Sequence, residues 1–336
     1  MEPLANKYLT VLVTGASGFI GRKLTFSLAE MGYHVLALCR NKHHPYLLPH
    51  KNIDFIEGDI LDTNSLDRIL KNCYQVYHTA AIAKMWCKNE DEFFKVNVLG
   101  TRNIMKCALN AGVEKLVHTS TCGIWGPTIN LPACETDPRT SGFQIAYERT
   151  KYLAELEVQK FMNKDLEVVI VNPSRVYGEG PLTGSNTVGR IINAYLNGTW
   201  HFIPGDGKAI ANYAYLDDVV SGHISAMQNG IAGERYILGG EDISFTSFFN
   251  SLGKISRKDK HLYKIPLNVI KAYSHIEKLK ALFLGTEPFF LPEFAERLKC
   301  NQQYSSAKAM TELNYQITPF LTGLERTINS IQQLKR

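Results

Sequence analysis

The sequence predicts an α/β fold, a Rossmann-type doubly wound parallel sheet with a smaller C-terminal lobe. Two observations carry this. Through the first half of the 336-residue chain, short apolar runs rich in β-branched residues alternate with stretches of helical periodicity. The first run also ends in a glycine turn that opens directly onto a helix. Strands that alternate with helices imply parallel pairing, because each crossover needs a helix to bring the chain back to the same edge.

In order, YLTVLVTG is the first strand, and FIGRKLTFSLAEMG places Ile20, Leu24, Leu28 and Met31 at helical spacing before Gly32. YHVLALC is the second strand. The runs IDFIEG, YQVYHTAA, KLVHTST and LEVVIVNPS follow, separated by helical stretches near 62–71, 92–111 and 147–162. After residue 175 the regularity drops, and Gly and Pro crowd YGEGPLTGSN and HFIPGDGK, as expected where loops build a pocket. A dinucleotide-binding domain over 1–175 and a mainly substrate-binding lobe over 176–336 are expected, with about 209–240 returning to the first. In IPLNVIKAYSHIEKLKALFL, the residues Val269, Tyr273, Ile276, Leu279 and Phe283 recur at helical spacing. The expectation is a helix packing that apolar side on the substrate lobe, with a membrane-surface helix as the alternative.

Composition narrows the function classes. The chain is 45% hydrophobic and 21% charged, which is ordinary for a globular protein. Its net charge of +5 comes with no dense Lys/Arg block, so nucleic acid is not an expected partner. No run of about 18 apolar residues occurs, and MEPLANKYLT lacks a signal-peptide pattern, so neither a membrane span nor secretion is expected. The seven cysteines form no CxxC pair and no metal-ligand spacing. They read as reduced thiols of a cytoplasmic protein without a metal site.

Two motifs carry chemistry. TGASGFIG, residues 14–21, supplies Gly15, Gly18 and Gly21 between the first strand and its helix. Glycines there permit a tight turn and close approach of a diphosphate to the positive helix N-terminus, which points to a dinucleotide. In YERTK, residues 147–151, Tyr147 and Lys151 share a helix face that continues through Ala154, Val158, Phe161 and Met162. Lys151 is thus an amine on a burying face, which calls for a partner.

TGASGFIG, YERTK and NPSRVYGEG, in that order, resemble the extended short-chain dehydrogenase/reductase family, in its dihydroflavonol reductase and 3β-hydroxysteroid dehydrogenase-like branch. The likeness continues through YAYLDDVV and AMTELNYQ. It implies that Tyr147 exchanges a proton with the substrate oxygen, while Lys151 binds the nicotinamide ribose and lowers the pKa of the phenol. Thr121 matches the hydroxyl residue that hydrogen-bonds the substrate, with Ser120 as runner-up, and Asn97 matches the asparagine of the proton relay. Trp125 departs from the pattern, which has Tyr there. The resemblance also implies cofactor contacts at Gly15, Ser17, Gly18, Phe19, Ile20 and Gly21, at Asp59 and Ile60, at Ala80 and Ala81, and at Pro173 and Ser174.

The second strand ends in ALCRNKHH, with Arg40 where an NAD-binding chain carries a carboxylate, so NADP is expected, with NAD as the alternative. The expected activity is hydride transfer to or from a small or hydrophobic carbonyl or alcohol. A nucleotide-sugar epimerase or dehydratase with bound cofactor is one alternative, and a non-catalytic cofactor-binding protein another. Against nucleotide sugars, the diphosphate-clamping Arg expected seven residues before Asp218 is Ala211, and TSTCG lacks the Asp-Glu pair of dehydratases. Arg190 and Arg235 remain possible phosphate contacts. Homodimerisation through the helices 92–111 and 143–162 is also implied.

Overall fold

A computed structural model describes residues 9–84, 86–87, 89–129, 132–162, 164–258, 260–284 and 291–333. The six expected strands are β1 (Thr10–Thr14), β2 (His34–Cys39), β3 (Ile53–Glu57), β4 (Gln75–His78), β5 (Lys115–Thr119) and β6 (Glu167–Pro173). Shorter strands follow: β7 (Arg175–Tyr177), β8 (Phe202–Pro204), β9 (Ile210–Tyr215), β10 (Arg235–Leu238), β11 (Glu241–Ser244) and β12 (Tyr263–Ile265). The first six and β10 form one seven-stranded sheet, in the order β10-β6-β5-β4-β1-β2-β3, with every pairing parallel. Strand order reverses between β1 and β4, and in open sheets of this kind ligands bind outside the carboxyl ends of the strands at that point.

Helices cover both faces of the sheet. In β1, Val11 and Val13 face α1 (Phe19–Glu30), whose Leu24 and Leu28 are buried with them. Leu12 faces the other way, onto α2 (Thr63–Leu70), which contributes Leu66 and Leu70. Because both faces are dry, successive strand residues are apolar, which explains the unbroken run TVLVT. The stretch 92–111 is one irregular helix. It comprises α3 (Asp91–Phe94), a π-helical turn over Lys95–Leu99, and α4 (Gly100–Asn110). Asn97 lies in the π turn, a distortion that recurs at functional sites.

The remaining helices are α5 (Ala146–Gln159), α6 (Thr187–Asn197), α7 (Leu216–Asn229), α8 (Phe245–Ser256), α9 (Leu267–Leu284), α10 (Pro292–Arg297), α11 (Ala307–Glu312) and α12 (Phe320–Gln333). A second core, rich in aromatic rings, includes Tyr195, Trp200, Tyr213, Phe248, Phe249 and Phe320. It joins α6, α8 and α12 to the β7-β9-β11 sheet. Among the described residues, no helix is long and apolar enough to cross a membrane.

One expectation is corrected here. The helix α9 forms, but Val269, Tyr273, Ile276, Leu279 and Phe283 face outward, each more than half exposed. The side it buries carries Ile270, Ser274 and Ala281 instead. Small side chains allow close approach to the body of the protein, so the bulky face is left outside.

Candidate active site

The turn after β1 is shaped by steric limits that only glycine meets. Gly15 adopts φ +72°, and a Cβ there would lie 2.8 Å from the Ala80 Cα. A Cβ on Gly21 would collide with the Gly15 carbonyl. The Gly18 amide donates to that carbonyl at 2.8 Å, turning the chain into α1. No side chain caps α1, so the amides of its first turn and the positive end of its dipole stay available to an anion. Thr14 and Thr79 tie this turn to the end of β4: the Thr79 hydroxyl donates to the Thr14 carbonyl at 2.7 Å, and the Ala80 amide to Thr14 Oγ1 at 3.2 Å.

On α5, Lys151 is buried, as its place on the apolar face requires. Its Nζ donates to the Thr119 carbonyl at 2.6 Å and lies 3.4 Å from His118 Nε2. Burial lowers its pKa to about 8, against the opposing pull of Glu155. Burial likewise keeps His118 and its neighbour His78 neutral, with the Lys151 charge acting in the same direction. Tyr147, one helical turn earlier, is half-buried and hydrogen-bonded to Thr121. Burial raises its phenol to about 12, while the Thr121 hydrogen bond and the Arg297 charge draw it back. Thr121 Oγ1 also accepts from the Gly123 amide at 3.1 Å, which fixes its rotamer at the end of β5.

Asn97 is fully buried and serves as a bracket. Its Oδ1 accepts from the Ile82 amide at 2.8 Å, and its Nδ2 donates to Thr150 Oγ1 at 3.1 Å. It thereby holds the π turn to both the loop after β4 and α5.

A single cavity of about 280 Å³ joins these parts. One end is lined by Gly15, Gly18, Phe19, Ile20, Gly21 and Ala81, and the middle by Thr121, Tyr147, Lys151, Pro173 and Ser174, with Ser120 beside them. The far end is apolar and aromatic, with Val188, Ile191, Trp200, Tyr213, Phe245 and Phe248. Ser17, Ala80 and Asn97 are not among the lining residues. Nor are Arg40, Asp59 and Ile60, which stand at the ends of β2 and β3. Arg40 is exposed there. Asp59 Oδ1 accepts from the Leu61 amide at 2.9 Å, a turn-forming contact, and Ile60 is buried.

Among the lining residues that the sequence does not single out are two arginines. Arg175 follows Pro173 and Ser174 directly, and that adjacency was a usable signal; Arg297 arrives from α10. Both guanidinium groups donate to Gln302 Oε1, at 2.9 Å and 3.3 Å. Arg297 also pairs with the buried Glu148 at 2.9 Å, and Arg139 shares that carboxylate at 3.3 Å. Arg297 Nε is buried without a hydrogen-bond partner. This corner of the cavity therefore carries an excess of positive charge. Arg190 and Arg235 do not line the cavity, and Arg235 is paired with the buried Glu155 at 3.2 Å. Trp125 is turned away, its indole donating to the Asp137 carbonyl at 3.0 Å. The seven cysteines are all free. Among the described residues no cluster of metal ligands occurs.

A Rossmann sheet with a glycine turn at its switch point and a Tyr/Lys pair in the same cleft defines an enzyme that works through a nicotinamide dinucleotide. The chain belongs to the NAD dependent epimerase/dehydratase family, whose sequence pattern matches residues 11–239. It is an extended short-chain dehydrogenase/reductase. A Synechocystis protein carrying a dihydroflavonol 4-reductase name is 31% identical over 307 residues, covering 90% of this chain and 88% of that one. Sterol demethylase protein B of Methylococcus capsulatus is 34% identical over 262 residues, covering 77% and 78%. The crystal structure of UDP-glucuronic acid 4-epimerase from Bacillus cereus in complex with NAD superposes with a TM-score of 0.76 at 26% identity, covering 98% and 100%. The names of such relatives span reduction, decarboxylation and epimerisation.

Proposed function

We propose that the protein is an NADP-linked oxidoreductase that reduces a ketone or aldehyde of an apolar substrate, or oxidises the matching alcohol. The observation that carries this reading is the one cavity that runs from the glycine turn, past Tyr147, into an aromatic chamber. The glycine cradle and the uncapped α1 suit a diphosphate, and Lys151 stands where it would hold the nicotinamide ribose. When bound, the dinucleotide supplies or takes the hydride. Tyr147, with its phenol near 12, keeps its proton at neutral pH and so can donate it from Oη to the substrate oxygen in the reductive direction. Thr121, bonded to that phenol, orients the same oxygen. Lys151 places a positive charge beneath the site as long as it stays protonated. Asn97 acts through positioning, since its amide is committed to Ile82 and Thr150.

Arg40, exposed at the end of β2, is the residue that would take the 2′-phosphate of NADP. The aromatic chamber favours an apolar substrate body, and Arg175 with Arg297 favours an oxygen-rich or anionic group near the reacting carbon. A homodimer formed through α4 and α5, in a reducing cytoplasmic setting, belongs to the same reading.

The second reading, a nucleotide-sugar epimerase, is favoured by that arginine pair, which could equally hold a diphosphate. The two are separated by following NADPH absorbance with aliphatic, aromatic and steroid-like ketones, while nucleotide sugars are assayed in parallel for epimerised or dehydrated products. The proposal expects NADPH consumption by apolar ketones. Product from a nucleotide sugar, with no ketone consumed, would replace it with the epimerase reading.

A further inference from the structure

The outer face of α9 is an apolar surface that the proposed chemistry does not use. Val269, Tyr273, Ile276 and Leu279 are between 51% and 55% exposed, and Phe283 is 84% exposed. Their spacing of three or four residues puts all five on one side of the helix, opposite the buried Ile270, Ser274 and Ala281. Scattered apolar residues on a surface need no explanation, but a continuous stripe along about four turns of helix does. β12, whose Tyr263 is 64% exposed, leads into this helix through Pro266 alone.

The charge around the stripe indicates what covers it. The strand β12 and the helix itself, residues 263–284, hold four Lys against one Glu, a net +3 in a chain whose total is +5, with Lys278 paired to Glu293 and Lys280 to Glu277. Lys280 stands within the exposed face itself, 54% exposed. A second copy of the chain docked by the same face would bring two such basic segments together, which like-charge repulsion disfavours. An apolar stripe within a basic segment is the pattern of a helix lying in the headgroup layer of an anionic membrane.

We propose that the exposed face of α9 docks on the surface of an anionic lipid bilayer. The helix lies in the plane of the interface, with the stripe among the upper acyl chains, the lysines at the headgroups, and Tyr273 and Tyr263 at the boundary between them. Its N-terminal end adjoins the wall of the substrate chamber. Leu267 lies against Gly205, and β12 pairs with β8, whose Pro204 lines the cavity. Docking would therefore bring the apolar end of the cavity to the phase in which an apolar substrate concentrates.

The test uses the full chain and two sets of vesicles, phosphatidylcholine alone and phosphatidylcholine with about 30% phosphatidylserine. Co-sedimentation is expected with the anionic vesicles and is expected to weaken as salt rises. The double variant Ile276→Glu/Phe283→Glu, altered only at exposed positions, should lose at least about tenfold in partitioning, because two apolar side chains no longer enter the lipid. Melting temperature and NADPH affinity show that this variant is folded. Failure of the parent to bind either set of vesicles would overturn the proposal, as would equal binding by the variant. A parent dimer that the double variant converts to monomer, without vesicle binding, would overturn it in favour of a contact between copies. None of these readouts depends on turnover, so they stand apart from the test of the proposed activity.

Discussion

At the scale of single residues, the site turns on two groups whose burial moves their pKa values in opposite directions. Tyr147→Phe keeps the ring and removes the proton, so reduction should fall by about 10²–10⁴-fold while NADPH affinity, measured by fluorescence quenching, is nearly retained. A variant keeping more than about a tenth of the parent rate would remove Tyr147 from the acid role. Lys151 adds a pH dependence. Its folded pKa of about 8 lies below the ordinary lysine value, so reduction should decline as pH rises through about 8 and the charge beneath the site is lost. The stability effect has the opposite sign. Between about 8 and 10.5 the unfolded chain binds the proton that the folded chain has released, so this group makes the fold more stable as pH rises through that window. Melting of parent and Lys151→Met at pH 7 and pH 10 checks this: the comparison should shift in the parent's favour at the higher pH.

At the scale of elements, function depends on ends and irregularities. The π turn before α4 aims Asn97 inward, where it satisfies Ile82 and Thr150 at once. Asn97→Ala would leave the part-buried Ile82 amide without its side-chain acceptor, and a cost of about 1 kcal/mol is expected in chemical denaturation. Turnover should fall as well, because the bond that Asn97 donates to Thr150 is one of the ties on the helix that carries Tyr147. At the end of β2, Arg40→Ala should weaken NADPH far more than NADH, since only the former has a 2′-phosphate to lose a charge-assisted contact. Equal affinity of the parent for both cofactors would remove Arg40 from that role. The uncapped start of α1 contrasts with α2 and α6, which are capped by Asp62 and Asn186. The helix facing the cofactor cleft is thus one that leaves its first amides open.

At the scale of the whole molecule, Glu148 couples the two cores. It is buried on α5 and pairs with Arg139 and with Arg297 of α10. Glu148→Ala would leave two largely buried guanidinium groups without their counter-charge, and breaking such a pair from one side costs about 3–5 kcal/mol. A drop in melting temperature larger than that of Asn97→Ala is expected. A neutral outcome would mean that the arginines are held apart from solvent by other contacts.

Much of this protein is legible along the chain. The six strands, the glycine turn, and the helix that presents Tyr147 and Lys151 follow from local rules: β-branched runs, residues that tolerate left-handed backbone, and the 3.6-residue repeat. Thr121 and Pro173, which both line the cavity, follow from motif order, because they lie at strand ends whose position the sheet dictates. The meeting of Arg175 with Arg297 over Gln302 was not legible, since it joins β7 to α10 and depends on how distant segments converge. The burial of Asn97 likewise rests on a π turn that no local periodicity announces. For α9, periodicity identified the apolar stripe correctly but not its direction. A repeat defines which residues share a face, whereas only the neighbours a helix packs against decide which face turns inward, and here the small residues Ser274 and Ala281 took that place.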